Sequence, residues 1–403
     1  MSKKTTVKTA VLAYSGGLDT SVCIPWIKEH YGCEVIAVAV DLGQNEPMDG
    51  LKEKAIKTGA SKAYVYDAKE EFVNEYVLPA LKAHAMYQNK YLLATALGRP
   101  LIAKILVDVA KKEQADAVAH GCTGKGNDQV RFDLTFMALG PDLKIIAPVR
   151  EWEFKSREEE IDYAHSLNIP VQATKAKPYS IDMNVWGCAI ECGILEDPWQ
   201  TPPEDIFTMT TLPHHAPDKI ETIELEFEKG VPIKLNGESL SFLALISKLN
   251  EIAGKNGVGV TDLIEDRLVG IKSREVYECP AGTVLHLAHR DLENLVLDRD
   301  TIYFKEQVSD LYSRLVYFGQ WFSPLRENLD AFVENTQKHV TGTVRLTLYK
   351  GNCTVVGRKS KYALYSHALA TYDKEDIFDH SQGEAFCKLW GLPLKIAAQA
   401  YSR

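Results

Sequence analysis

Apolar residues follow two different rhythms along this chain. Up to about residue 172, short runs of Val, Ile, Ala and Leu alternate with stretches of helical periodicity. Residues 10–13 (AVLA) predict a buried strand, ending in Ser15-Gly16-Gly17, and Asp19-Thr20-Ser21 opens a helix. Pro25 falls inside that helix and is expected to bend or shorten it, because it removes a backbone donor. Residues 33–41 (CEVIAVAVD) predict a second strand, 63–67 a third, 115–120 a fourth, 144–149 a fifth and 169–172 a short last one. Helical patterns lie at 51–58, 69–86 (interrupted near Pro79), 98–114 and 157–167, with Pro100 expected in a first turn where its missing N–H costs least. Strands alternating with helices predict an α/β, doubly wound, mostly parallel sheet covered on both faces. Ligands of such sheets sit beyond the carboxyl ends of the strands, where the Ser-Gly-Gly turn and the loop after His120 would both lie.

Beyond residue 173 the rhythm changes. Residues 174–203 carry Pro178, Gly187, Gly193, Pro198, Pro202 and Pro203 with little periodicity and read as a long irregular, functional segment. A hairpin is expected over 220–235, turning at Lys229-Gly230, and an amphipathic helix over 239–256, with Phe242, Leu245, Ile246, Leu249 and Ile252 on one face. Further helices are expected at 283–298, 302–318 and 325–340, then a hairpin over 344–357 turning at Gly351-Asn352. This is an α+β pattern. Past Ser366 comes a helical tail whose apolar positions Leu389, Leu392, Leu394 and Ile396 call for a partner, in a neighbouring subunit or in the chain's own domain. The reading is a nucleotide-binding domain over 1–172, a substrate-binding and oligomerising domain over 173–365, and a C-terminal arm over 366–403.

Composition narrows the function. With 403 residues there is room for two cores. A net charge of -9 argues against nucleic acid as the main partner. The eight cysteines are scattered without zinc-site spacing, which fits reduced thiols in a cytoplasmic protein without a resident metal. No apolar stretch is long enough for a membrane, and Met1 to Thr6 lacks a signal-like core. His214-His215 between prolines reads as a solvated loop, and Arg157 to Glu160 as a solvated helix face.

The chemistry concentrates in two glycine-rich turns. In Ala13-Tyr14-Ser15-Gly16-Gly17-Leu18-Asp19-Thr20-Ser21 the glycines allow a tight backbone, and the helix start beyond supplies free N–H groups and a positive dipole end. Asp19 suits an N-cap or a Mg²⁺ contact. The second turn, His120-Gly121-Cys122-Thr123-Gly124-Lys125-Gly126-Asn127-Asp128-Gln129-Val130-Arg131, follows a strand and precedes a helix. Its glycine and lysine spacing is wrong for a Walker A loop.

The first turn resembles the pyrophosphate loop of the ATP-pyrophosphatase superfamily, or PP-loop enzymes, which cut ATP to AMP and pyrophosphate. Both turns together, with residues 91–95, 177–184, 186–197, 257–259, 265–274, 277–278 and 280–283, resemble the argininosuccinate synthase family over roughly residues 10–357. The resemblance implies a homotetrameric, cytoplasmic ligase of arginine biosynthesis that takes ATP with Mg²⁺, citrulline and aspartate. It implies ATP on Ala13, Tyr14, Ser15, Gly16, Gly17, Leu18, Asp19, Thr20, Ser21, Val40 and Gly121, with Ser15 and Lys125 stabilising pyrophosphate. Aspartate would lie on Thr123, Asn127 and Asp128. Citrulline would lie on Tyr91, Ala96, Asn127, Arg131, Ser180, Ala189, Glu265 and Tyr277. Ala96 and Ala189 depart from the serines many relatives carry, so two hydroxyl contacts must be lost or replaced. Arg131 suits a carboxylate bidentately, and Glu265 suits an α-ammonium.

Other readings are another PP-loop adenylating enzyme, for tRNA thiolation or amide formation, or a non-catalytic nucleotide sensor. A thiolating enzyme needs a basic RNA surface that the acidic balance disfavours. A sensor has no use for Thr123, Asn127, Asp128, Arg131, Ser180 and Glu265 together.

Overall fold

The computed structural model describes residues 7–44, 48–169 and 179–402. Five strands form the first sheet: β1 (Thr9–Ala13), β2 (Glu34–Asp41), β3 (Lys62–Asp67), β4 (Ala117–Ala119) and β5 (Lys144–Ile146). Their order is β3-β2-β1-β4-β5 and every pairing is parallel. Alternate side chains feed two cores. Val11, Ile36, Val38, Val40 and Val118 face one, whereas Ala10, Leu12, Val35, Ala37, Ala117 and Ala119 face the other. A strand buried on both faces must read as a continuous apolar run, which is why these strands were legible. The strand order reverses between β1 and β4, so the two glycine-rich turns leave adjacent strands at the switch point.

Several expected boundaries shift. The helix Leu18–Tyr31 is not shortened by Pro25, which lies in its interior. The helix expected from Gly98 starts a turn earlier, as Ala94–Glu113, so Pro100 is interior rather than in the first turn. The helix expected over 69–86 is broken by a π-helical segment, Val73–Val77, and resumes as Leu78–Lys82, with Pro79 at the start where its missing donor is harmless. The fifth strand is short, since Pro148 opens the helical turn Pro148–Glu151. The expected last strand, 169–172, leaves Ile169 outside any strand, and its remainder lies outside the described residues.

The second half contributes β6 (Ser180–Met183), β7 (Cys188–Glu191), β8 (Glu221–Glu228), β9 (Val231–Leu235), β10 (Glu238–Ser239), β11 (Val260–Asp266), β12 (Lys272–Glu278), β13 (Gly342–Tyr349) and β14 (Asn352–Lys359). They form two antiparallel sheets, β11-β12-β7-β6 and β10-β9-β8-β13-β14. The segment read as irregular over 174–203 therefore holds two short strands. The β8–β9 hairpin turns at Lys229-Gly230 as expected, whereas β13–β14 turns at Lys350-Gly351, one residue early. Helices Phe242–Lys255, Pro280–Val296, Arg299–Tyr317 and Pro324–Thr336 fill out the domain. Past Ser366 the short helices His367–Ala370, Gln382–Trp390 and Leu392–Tyr401 have no buried residue. Leu389 is 74% exposed and Leu394 76%, so the tail finds no partner in its own body among the described residues.

Candidate active site

The first turn is built as an anion cradle. Gly16 adopts φ +80°, and a Cβ there would lie 2.4 Å from Leu51 Cδ2, so only glycine lets the turn close against the helix Leu51–Lys57. Gly17 precedes the helix Leu18–Tyr31 with no side-chain cap, which leaves first-turn N–H groups for a ligand. Ser15 and Thr20 hydroxyls lie 3.1 Å apart, and Gly17 N donates to Ser15 Oγ at 3.3 Å. Lys54 donates to the Gly16 carbonyl, a contact that sequence reasoning missed. Tyr14 and Ser21 turn inward, Tyr14 4% and Ser21 0% exposed, so they support the turn rather than line it. Ala13 and Leu18 flank it as packing residues, and Val40 is buried at the end of β2. Asp19 faces Glu160, whose carboxyl is pushed up to about 7 by burial and by that neighbouring carboxylate. Glu160 is thus not part of a solvated face, as its charge run suggested.

The second turn is anchored below and open above. Buried His120 bonds Asp133 Oδ1 through Nε2 at 2.9 Å and accepts from Cys122 N through Nδ1 at 3.1 Å. A Cβ on Gly121 would lie 3.3 Å from Thr20 Cγ2, so the two turns touch there. Thr123 and Lys125 are exposed at the top, with no hydrogen bond or ion pair of their side chains among the described residues. Asn127 is turned into the protein: Nδ2 donates to Tyr317 Oη at 2.8 Å, and Oδ1 accepts from Leu268 N at 2.9 Å. Asp128 accepts from Arg99 Nε at 2.8 Å and from Arg131 Nη1 at 2.8 Å. Burial opposes its ionisation, yet the two guanidinium groups hold its carboxyl below the usual range. Arg99, which also pairs with Asp182, was missed as a site residue because nothing distinguishes it from a surface arginine on a helix.

Arg131 is 3% exposed and lies 5.1 Å from the centre of the Tyr317 ring. Its Nε donates to the Tyr317 carbonyl at 3.1 Å. With Nη1 on Asp128, only Nη2 lacks a partner among the described residues, so the expected bidentate grip would require Asp128 to yield. Gly319 (φ +74°) makes this packing possible, since a Cβ there would sit 2.9 Å from Arg131 Cα.

Glu265, 1% exposed, accepts from Tyr277 Oη at 2.6 Å and closely from Tyr317 Oη. Tyr277 stacks on Tyr91 with ring centres 3.9 Å apart, and its strand pairs with β7 at Ala189. The Tyr91 hydroxyl is occupied, bonding Thr95 Oγ1 at 2.6 Å and accepting from Thr95 N at 3.0 Å, so that ring forms a wall rather than offering a donor. Ala96 is wholly buried in the first turn of the helix Ala94–Glu113, and Ser180 is exposed at the start of β6. Tyr317 and Glu275 belong to this network and were missed, the first because it lies in an amphipathic helix, the second because the strand pattern hid it. His214 and His215 lie elsewhere, exposed and bonded to Glu204 at 3.0 and 3.2 Å.

A parallel α/β sheet with an uncapped helix at its switch point, followed by a second sheet that carries buried acids and phenols, is the architecture of a nucleotide-binding α/β domain with a further domain attached. The family described as "Arginosuccinate synthase N-terminal HUP domain" matches residues 9–170, and "Arginosuccinate synthase C-terminal domain" matches 179–397. The argininosuccinate synthase of Pelotomaculum thermopropionicum is 59% identical over 96% of this chain and 97% of its own length. Those of Carboxydothermus hydrogenoformans (58%, covering 96% and 97%) and Desulfitobacterium hafniense (57%, covering 97% and 98%) are similar throughout. The chain belongs to the argininosuccinate synthase family, and with it to the ATP-dependent ligases.

Proposed function

We propose that this protein joins citrulline to aspartate at the expense of ATP, giving argininosuccinate, AMP and pyrophosphate. The observation that carries the reading is the continuity of the site. The ATP-type turn touches the second turn at Gly121, and from Asn127 a hydrogen-bonded chain runs through Tyr317 to Glu265 and Tyr277.

Citrulline's ureido oxygen is a poor leaving group, so it first attacks the α-phosphorus and becomes an adenylate. Pyrophosphate leaves against the first-turn N–H groups, Ser15, and Lys125, the exposed cation of the second turn. Asp19, with Glu160 facing it, offers the oxygen donors that would hold a Mg²⁺ bound with ATP, which would supply charge neutralisation on the phosphates. Aspartate, held by Thr123, Asn127 and Asp128, then attacks the ureido carbon and AMP departs. In this reading Arg131 receives a substrate carboxylate through Nη2, and Glu265 the α-ammonium of citrulline. Ser180, Tyr91, Ala96 and Ala189 shape the citrulline pocket. Close positioning supplies most of the rate.

The reading carries with it a cytoplasmic location and a homotetramer, with 1–172, 173–365 and 366–403 as its working units. The exposed apolar tail supports assembly through the arm, and no helix among the described residues is long and apolar enough to cross a membrane. The test is product analysis with ATP, Mg²⁺ and citrulline, with and without aspartate. AMP and pyrophosphate in quantity only with both amino acids, together with a new adduct, is the expected result. ADP and phosphate would overturn it, and tight ATP binding without turnover would favour the sensor.

A further inference from the structure

The hydrogen-bond inventory around Tyr277 has one proton too few. Its hydroxyl lies 2.6 Å from Glu265 Oε2 and 2.8 Å from Glu275 Oε2. A phenol carries a single proton and can donate it to one carboxylate only. Glu265 is bound on its other side by Tyr317 Oη. Because Asn127 Nδ2 donates to that phenol oxygen at 2.8 Å, the Tyr317 proton points at Glu265. The shorter Tyr277 contact, 2.6 Å against 2.8 Å, places the Tyr277 proton on Glu265 as well, so Glu265 accepts from two phenols. For the Tyr277–Glu275 contact to be a hydrogen bond as well, Glu275 must itself carry a proton and donate it.

The charges agree. The groups facing Glu275 are Glu265 on β11, Tyr277 on its own strand, Glu191 on β7 and Arg267 in the β11–β12 connection. Tyr317, Tyr91 and Arg131 lie behind them, and Arg131 is already paired with Asp128. Glu275 meets Arg267 Nη2 at 3.2 Å, but that guanidinium is shared with Glu191. Three carboxylates thus face one cation in a region where Glu275 is 9% exposed and Glu265 1%. Burial, and then the Glu265 charge, push the Glu275 carboxyl up to about 7. Glu191 keeps 34% of its side chain exposed, but water cannot balance the Glu265 and Glu275 carboxylates so far inside.

We infer that Glu275 is the second carboxylate of the ammonium site, and that it holds through Tyr277 an exchangeable proton which leaves for solvent when the α-ammonium of citrulline enters. The step rests on the functional reading above. It forms no covalent bond: the Glu275 O–H breaks, the proton goes to buffer, and the entering ammonium replaces its charge. Glu275 acts as a positioning residue, since it reaches the substrate through Tyr277 and the local field. Below its own pKa the site must give up the proton to bind, so citrulline affinity falls as pH drops from 7 towards 5, by up to about tenfold per unit. Above pH 8 it is flat.

The test is calorimetric titration of the full-length enzyme with L-citrulline, in the presence of a non-hydrolysable ATP analogue, in two buffers of different ionisation enthalpy. At pH 6 the wild type should release close to one proton per citrulline bound, and at pH 8 almost none. Glu275→Gln should release none at either pH and should bind most weakly, relative to wild type, at pH 8. Citrulline binding without proton release at pH 6 would overturn the inference, as would unchanged release in Glu275→Gln. Failure of the wild type to bind citrulline at all would instead overturn the functional reading. The wild-type measurement decides between these even if the variant does not fold.

Discussion

Two buried polar clusters of this protein are each built around glutamate and end in opposite electrostatic states. In the cluster at Tyr277, three carboxylates face one shared arginine and a carboxyl is pushed up to about 7. The other cluster joins the end of the helix Leu78–Lys82 to the helices Pro280–Val296 and Arg299–Tyr317. There Glu293 meets Lys305 Nζ at 2.9 Å, His84 Nε2 at 2.8 Å and Gln337 Nε2 at 2.7 Å. His289 completes it, bonding His84 at 3.1 Å and Gln337 Oε1 at 2.9 Å. One anion meets one cation, and burial disfavours charge on both histidines. Against burial, His84, Lys305 and His289 hold the Glu293 carboxyl well below its usual range, and burial pushes His289 down to about 3. A balanced network is finished without a ligand. An unbalanced one is poised for a cation, and it is the cluster connected to the glycine-rich turns.

The comparison breaks most sharply on truncation. Lys305→Met takes the ammonium partner from buried Glu293, which keeps only its contacts with His84 and Gln337, and removing one partner of a buried ion pair costs about 3–5 kcal/mol. Chemical denaturation should show that loss, while the KM for citrulline in the folded fraction stays within about twofold of wild type. Glu265→Gln should do the reverse. Its midpoint should hold, whereas kcat/KM for citrulline falls about a hundredfold, the equivalent of about 2.7 kcal/mol of lost charge-assisted binding. Steady-state kinetics with both amino acids would check it, and equal losses of stability in the two variants would erase the distinction between the clusters.

How much of this the chain revealed depends on what buries each strand. Strands β1 and β2 are covered on both faces, and their Val, Ile and Ala runs betray them. Strand β11 is the contrary case. Leu263 and Glu265 point inward while Val260 and Ile264 are exposed, so its inward face carries a glutamate where alternation calls for an apolar residue. Strands β6 and β7 are four residues each, among prolines and glycines, and were read as irregular. The individual site residues in the two turns were legible because glycine and helix-start chemistry is local. Arg99, Lys54, Tyr317 and Glu275 were not, because their meaning lies in contacts that bring distant segments together, such as Tyr317 with Glu265. Charge balance is a property of distances, which no pattern along the chain encodes.

Acid separates the clusters more gently, through linkage of opposite sign. In the Glu293 cluster the histidines have folded pKa values below their ordinary value near 6.5, and Glu293 below its ordinary 4.5. The unfolded chain therefore takes up protons first, and stability is lost as pH falls below about 6.5, by up to about 1.4 kcal/mol per unit per histidine. Replacing His289 by Gln, which cannot titrate, should flatten that slope between pH 6.5 and 5 by about 1 kcal/mol in thermal or denaturant unfolding. In the Tyr277 cluster the folded Glu275 takes up its proton first, near 7, so acidification from pH 8 to 5 relieves a strain that ionisation imposes. Glu275→Gln should accordingly raise the unfolding midpoint of the ligand-free protein at pH 8, by about 1 kcal/mol of stability, and the advantage should shrink to nothing by pH 5.

The smallest effect on the fold of one chain, and a different kind of readout, belongs to the tail. The helices Gln382–Trp390 and Leu392–Tyr401 leave Leu389, Trp390, Leu394 and Ile396 more than half exposed. Neither buried cluster draws a residue from beyond Ser366, so ending the chain there should leave the denaturation midpoint of the remaining body within about 0.5 kcal/mol, the usual range for surface changes. Contiguous exposed apolar surface of this kind marks an association site rather than a solvated helix. The truncated chain should thus elute as a smaller species on a sizing column, with citrulline-linked proton release preserved. Unchanged elution would show that the arm does not assemble the protein. Loss of proton release on truncation would show that the Tyr277 cluster depends on a neighbouring copy, and would end its description as a property of one chain.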